Sequence, residues 1–179
     1  MENSNKCSGN VFNINDCVVY GSAGVCRLTG IEKQCFDGEH EMDYFILSPL
    51  HSSTSKYYLP VNKCSNKIRK LLTRDEIISL IDSAAKSDDV CWQNNSKERK
   101  SLFNSILNSD DCEKMLEMLK TLHFHQEKQK LNGKKLVSSD EIAMKTAENV
   151  LFQEFSIVLG IDYDSVEDFI ISRANKLKS

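Results

Sequence analysis

Phe12-Asn13-Ile14-Asn15-Asp16-Cys17-Val18-Val19-Tyr20-Gly21-Ser22-Ala23-Gly24-Val25 decides how the first part of the chain folds. Phe12 and Ile14 alternate with polar residues, and Cys17 to Tyr20 is a β-branched and aromatic run of the kind that suits a pleated surface. Gly21-Ser22-Ala23-Gly24 interrupts it. A second run, Val25 to Phe36, ends at Asp37-Gly38, a dipeptide favoured by two-residue type I′ hairpins because both positions need positive φ. Met42 to Leu47 supplies the partner strand, and Ser48-Pro49 with the Ser/Thr cluster after it marks a loop. Lys56-Tyr57-Tyr58-Leu59 reads as one more strand, stopped by Pro60, which has no N–H to give a ladder. Short strands with tight turns over residues 11–72 predict a small SH3-like or Tudor-like β-barrel. Such a domain leaves little room for a catalytic cleft and offers a sheet edge or face to a partner.

Beyond Leu72 the period changes. Thr73-Arg74-Asp75-Glu76 is a capping box, and Ile77, Ile78, Leu80, Ile81, Ala84 and Ala85 follow at helical spacing. A second helix is predicted over Ser96–Leu107, and a third is capped by Ser109-Asp110-Asp111 and carries Cys112, Met115, Leu116, Leu119 and Leu122. Ser138 to Glu141 repeats the capping-box pattern ahead of the longest stripe, Ile142 through Leu159, with Gly160 placed as a C′ glycine. A short last helix follows Asp164. The expected architecture is α+β in two domains: a flexible tail over 1–10, the barrel over 11–72, and an all-α bundle over 73–179.

Composition narrows the function. At 40% hydrophobic and 27% charged, the 179 residues are those of a globular protein, and no apolar run approaches the roughly 20 residues that span a bilayer. The polar opening MENSNKCSGN has no secretory h-region, so a cytoplasmic location without membrane association is expected. Seven cysteines contain no C-x-x-C pair, which points to reduced thiols and not to a zinc site. His123 and His125 are two residues apart, so on a helix they diverge and cannot share a metal. Walker, G-x-S-x-G and G-x-G-x-x-G motifs are all missing, so neither an enzyme nor a cofactor is expected. The net charge of −3 leans against a general nucleic-acid binder, whose affinity comes from neutralising phosphates.

Trp92, the only tryptophan, lies between two predicted helices in Asp89-Val90-Cys91-Trp92-Gln93-Asn94-Asn95. It is either a plug sealing the gap between helices or an exposed wedge of the kind that unstacks a base step at a cost of a few kcal/mol. Lys97, Arg99 and Lys100 follow within two turns. They form either a solvated helix face or phosphate anchors beside the wedge. Lys134 and Lys135, in a glycine-containing loop, are a second candidate pair or an ordinary polar loop. Cys91 beside Trp92 is a candidate reactive thiol, although nothing close in sequence would lower its pKa.

These residues resemble the CarD/CdnL family. The Phe12–Val25 stretch is similar to that family's F-x-φ-G-D-x-V-V-Y-P-x-x-G-V, and Ile31-Glu32, Asp37-Gly38, Tyr44 to Leu47, Leu59-Pro60-Val61 and Ile68-Arg69 continue the likeness. Trp92 falls where the family carries its tryptophan, and Ala147 to Leu159 resembles its A-x-x-x-L-x-x-E-L run through Glu154. The resemblance implies an N-terminal RNA polymerase-interacting domain shared with transcription-repair coupling factor, docking on the polymerase β subunit through Glu32, Gln34, Lys56 and Tyr58. It implies also a helical domain on promoter DNA at the upstream edge of the bubble. There Trp92 would enter the minor groove and slow bubble collapse, with Lys97, Arg99, Lys100, Lys134 and Lys135 on phosphates. The DNA contact would be weak and largely sequence-independent alone, and the protein a monomer. Asn15 replaces the motif's Gly, Gly21 its Pro, and Asn94-Asn95 stand where the family has an arginine pair. The rivals are a protein–protein adaptor with Trp92 buried, and a redox sensor using Cys91.

Overall fold

The computed structural model describes residues 5–7, 10–36, 38–50, 54–87 and 92–178. The chain divides into two compact units, Met1–Leu71 and Leu72–Ser179. In the first, β1 (Asn5–Cys7) pairs antiparallel with β2 (Asn10–Phe12). Residues 5–7 are thus ladder, not tail. Their backbone groups are satisfied by the strand that Phe12, a core residue, ties to the sheet unit.

The main sheet is antiparallel and five-stranded. β3 (Cys17–Val19), β4 (Val25–Gln34), β5 (Met42–Pro49), β6 (Tyr57–Pro60) and β7 (Arg69–Lys70) stand in the order β6-β5-β4-β3-β7. A 3-10 turn, Val61–Asn66, joins the last two. Among the described residues β6 and β7 do not pair, so the sheet is open and the expected barrel is not closed. One face packs Phe12, Val18, Leu28, Phe45, Leu47 and Leu59 into a core. β4 and β5 slip register between Leu28 and Gly30, where the Thr29 hydroxyl donates to the Ile46 carbonyl. The expected hairpin turn at Asp37-Gly38 falls partly outside the described residues. The ladder ends at Gln34 opposite Met42, so the connection spans 35–41, with Asp37 outside the described residues.

Two departures from the resembled motif have opposite conformational consequences. Asn15 sits at φ 79, the left-handed region that the motif's Gly enters freely and that Asn tolerates better than most side chains. Gly21 sits at φ 45, which a proline ring locked near −65° cannot reach, so the turn between β3 and β4 differs from the motif's.

Among the described residues the second unit has five α-helices: α1 (Arg74–Lys86), α2 (Ser96–Ser109), α3 (Cys112–Leu131), α4 (Ser138–Leu159) and α5 (Val166–Lys178). Thr73 and Glu76 form both halves of the capping box on α1, and Gly160 ends α4 in the left-handed conformation. Ser138, by contrast, is not a cap. Val137 occupies that position without a side-chain bond, and Glu141 pairs with Lys145 one turn on. Ile142 faces solvent, while Ala143, Ala147, Val150, Leu151 and Phe155 are buried. Glu154, fully buried, accepts the Leu72 N–H at 2.8 Å and pins the segment before α1. Arg173 on α5 holds Asp82 on α1 through two donors, at 2.5 and 2.7 Å.

Cys17, Cys26, Cys35 and Cys112 are not in disulfides, but Cys64 is disulfide-bonded, which corrects the expectation that every cysteine is reduced.

Candidate functional site

Each unit carries one surface that stands apart. On the sheet, register sets Glu32, Tyr44 and Pro60 in one row and Gly30, Ile46 and Tyr58 in the next, on the face away from the Phe45 core. Two residues from Glu32 on the same strand, Gln34 lies on this face and donates to the Glu32 carboxylate at 3.3 Å. Phe36, beyond the end of β4, folds back over it, its ring edge-on to Tyr44 at 5.0 Å and to Tyr58 at 5.5 Å. It remains 63% exposed. Aromatic rings at such separations add about 0.5–1.5 kcal/mol to a pair beyond area burial, enough to hold Phe36 in place without hiding it. Three of the four sheet residues singled out from sequence, Glu32, Gln34 and Tyr58, are therefore neighbours, while Lys56 is exposed just ahead of β6. Phe36 was read only as the end of a strand. β6 is an edge strand, and Tyr57 on its other side packs against Tyr20 at 5.4 Å.

In the helical unit, Trp92 is half-buried. Its ring stacks on His125 at 3.6 Å and 21°, meets Phe103 edge-on at 6.5 Å, and has the Arg99 guanidinium carbon 4.4 Å from its centroid. Arg99 is only 5% exposed. Its Nε and NH2 reach Asp140 Oδ2 at 3.0 and 2.8 Å, and its NH1 donates to the carbonyls of Gln93, at 2.7 Å, and Asn94, at 3.4 Å. This corrects its assignment as a phosphate contact, since the guanidinium is consumed inside the fold. Stripping one partner from such a buried pair typically costs about 3–5 kcal/mol, because the other charge is left desolvated. Asp140, in the first turn of α4, is the partner that sequence reasoning assigned only to a cap motif.

Lys97 and Lys100 are exposed, three residues apart on one side of α2. Asn95 caps that helix by accepting from Lys97 N and Glu98 N, so this asparagine replaces a basic residue with a helix start. Lys134 and Lys135 are exposed after Gly133, whose φ of 67 turns the chain out of α3. Acidic residues outnumber basic ones over residues 72–179, so any nucleic-acid contact there must rest on a local basic patch. Cys91 lies outside the described residues. The two histidines diverge as their spacing requires. His125 meets Trp92, while His123 bridges Glu148 at 3.1 Å and Glu167 at 3.7 Å. The Glu148 hydrogen bond outweighs burial and lifts the His123 pKa above its ordinary value.

A groove of about 460 Å³ lies between α1, α3 and α5, lined by Ile81, Leu116, Phe124, Phe152, Ile170 and Ile171, with His123 at its side. No helix among the described residues is long and apolar enough to cross a membrane.

Comparison with known proteins bears on the sheet unit. No curated protein matches the chain significantly. The family model for the CarD-like/TRCF RID domain matches residues 12–72, the span from the Phe12 anchor through β7 to the threshold of the first helix. Over those residues the chain is similar to the CarD-like/TRCF RID domain.

Proposed function

We propose that the protein is a transcription regulator that docks on the β subunit of RNA polymerase through its N-terminal sheet and contacts promoter DNA through its helical unit. The observation that carries this reading is the RID match over residues 12–72, coupled to an exposed aromatic face on the matched sheet. Interface centres are enriched in aromatic side chains, and Phe36, braced by Tyr44 and Tyr58, is such an anchor with Glu32, Gln34 and Lys56 as its polar rim. On the DNA side, Trp92 supplies the wedge, with Lys97, Lys100, Lys134 and Lys135 on phosphates. A protein with greater affinity for the open complex than the closed one shifts the population by that difference, with no chemistry of its own.

The decisive measurement is binding of the full-length chain to purified polymerase β subunit. Phe36→Ala is expected to weaken binding by about 2 kcal/mol, roughly 30-fold, as truncation of an interface anchor does. Unchanged binding would remove this face from the interface. A second reading, a protein adaptor that binds no DNA, is favoured by the packing of Trp92 against Arg99, Phe103 and His125. Trp92 emission distinguishes the two. A wedge responds to fork-junction DNA with altered intensity and quencher access, whereas a plug does not.

A further inference from the structure

We infer that Arg99 and Asp140 are positioning residues for Trp92, a buried ionic clamp that fixes where the indole points before any DNA is met. This rests on the reading of Trp92 as the wedge. A plug between helices needs only apolar contact, and Phe103 already provides that. The site instead buries a charged guanidinium, which is costly to desolvate and is compensated only by well-directed partners. Its partners join the segment after Trp92 to the helical bundle. Asp140 fixes the guanidinium to the first turn of α4. NH1 then ties down the carbonyls of Gln93 and Asn94, the two residues that follow Trp92. The guanidinium carbon stands 4.4 Å from the indole centroid, so the cation that sets the backbone also holds the ring. His125 stacks on the ring from α3.

Three helices therefore converge on one side chain: α2 through Arg99, α4 through Asp140 and α3 through His125. A wedge ordered in advance does not lose that side-chain freedom on entering a base step, so more of its contact energy appears as stabilisation of the melted duplex. The clamp also explains why a basic residue in the Lys97-Glu98-Arg99-Lys100 run is withdrawn from solvent while the lysines on either side remain outside.

The experiment uses the full-length chain and two variants. Arg99→Lys keeps the charge, but a single ammonium cannot serve Asp140 and the Gln93 carbonyl together in the guanidinium's planar fork. The double variant Arg99→Met with Asp140→Leu replaces the pair by apolar groups of similar bulk, which buried ion pairs commonly tolerate without loss of fold. Far-UV circular dichroism checks the helices of both. Because Trp92 is the only tryptophan, its near-UV circular dichroism and fluorescence anisotropy report the indole alone. Both variants are expected to lose most of the indole near-UV signal and to show faster local depolarisation. A spectrum and anisotropy equal to wild type in either folded variant would overturn the clamp.

The second arm is a double-mutant cycle on open-complex lifetime. Trp92→Ala and Arg99→Lys are each expected to shorten it, and Arg99→Lys to add nothing once Trp92 is gone, a coupling factor of about threefold or more. Equal shortening by Arg99→Lys with and without Trp92 would show that Arg99 acts by another route and would sink the positioning role. If Trp92→Ala alone leaves the lifetime unchanged, the wedge reading falls, and the clamp is decided by the indole spectra of the free protein.

Discussion

Thr121 lies in the middle of α3 with its hydroxyl oxygen buried and, among the described residues, without a hydrogen-bond partner. A hydroxyl removed from water and left unpaired is destabilising, whereas an apolar group of the same shape is not. Thr121→Val is therefore expected to stabilise the helical unit by about 1 kcal/mol, a rise of roughly 2–4 °C for a chain of this size. A lower melting temperature would reveal a partner for that oxygen. Cys26 shows the reverse economy at a single residue: burial, with the nearby Cys17 thiol, pushes its pKa up to about 11, so it stays a neutral, inert core group. Arg99 marks where sequence was legible but misread. It lies four and seven residues before Phe103 and Ile106, the spacing of one helical face, and that face is the buried one. Charge alone had placed it outside. Phe36 was not legible in the same way, because its position depends on how residues 35–41 return to the sheet, and no local pattern fixes a loop of that length.

At the scale of elements, periodicity located each helix, and local chemistry fixed some ends better than others. Thr73 and Glu76 bond reciprocally, so the α1 start could be read from four residues. The same pattern at Ser138 is overridden, since Asp140 is drawn inward to meet Arg99 from an element 41 residues earlier in the chain. Tertiary demands of that kind leave no local trace. His123 makes another such link, joining α3 to α4 through Glu148 and to α5 through Glu167, with Lys130 opposing its charge. Its folded pKa is raised above the unfolded 6.5, so this stabilisation is fully present below pH 6.5 and is lost as pH rises through the higher folded value. Thermal melts across that range are expected to show the wild-type helical unit losing stability with rising pH, and His123→Asn losing none over the same window. The Arg173–Asp82 pair does not confuse the result, because the Asp82 carboxyl is held below its ordinary range and titrates only in acid. Parallel pH curves for the two proteins would mean that His123 does not tie the helices at all.

At the scale of the whole chain, the unit that the family model matches has a core of its own. Phe12, Val18, Leu28, Phe45, Leu47 and Leu59 bury one another within residues 12–72. A domain of about 60–70 residues buries only about 60% of its unfolded surface and is marginal, but many of this size fold alone. The aromatic face of Tyr44, Tyr58 and Phe36 is built wholly within this unit. If polymerase docking resides there, residues 1–72 expressed alone should bind the β subunit within about threefold of the full chain, a difference of under 1 kcal/mol. Residues 73–179, whose aromatic cluster around Trp92 is engaged with Arg99 and His125, should bind none of it. Capture by the helical fragment, or loss of capture by a sheet fragment that retains its β circular dichroism, would break the assignment of one task to each unit. The sheet would then be only the support for an interface that both units must complete.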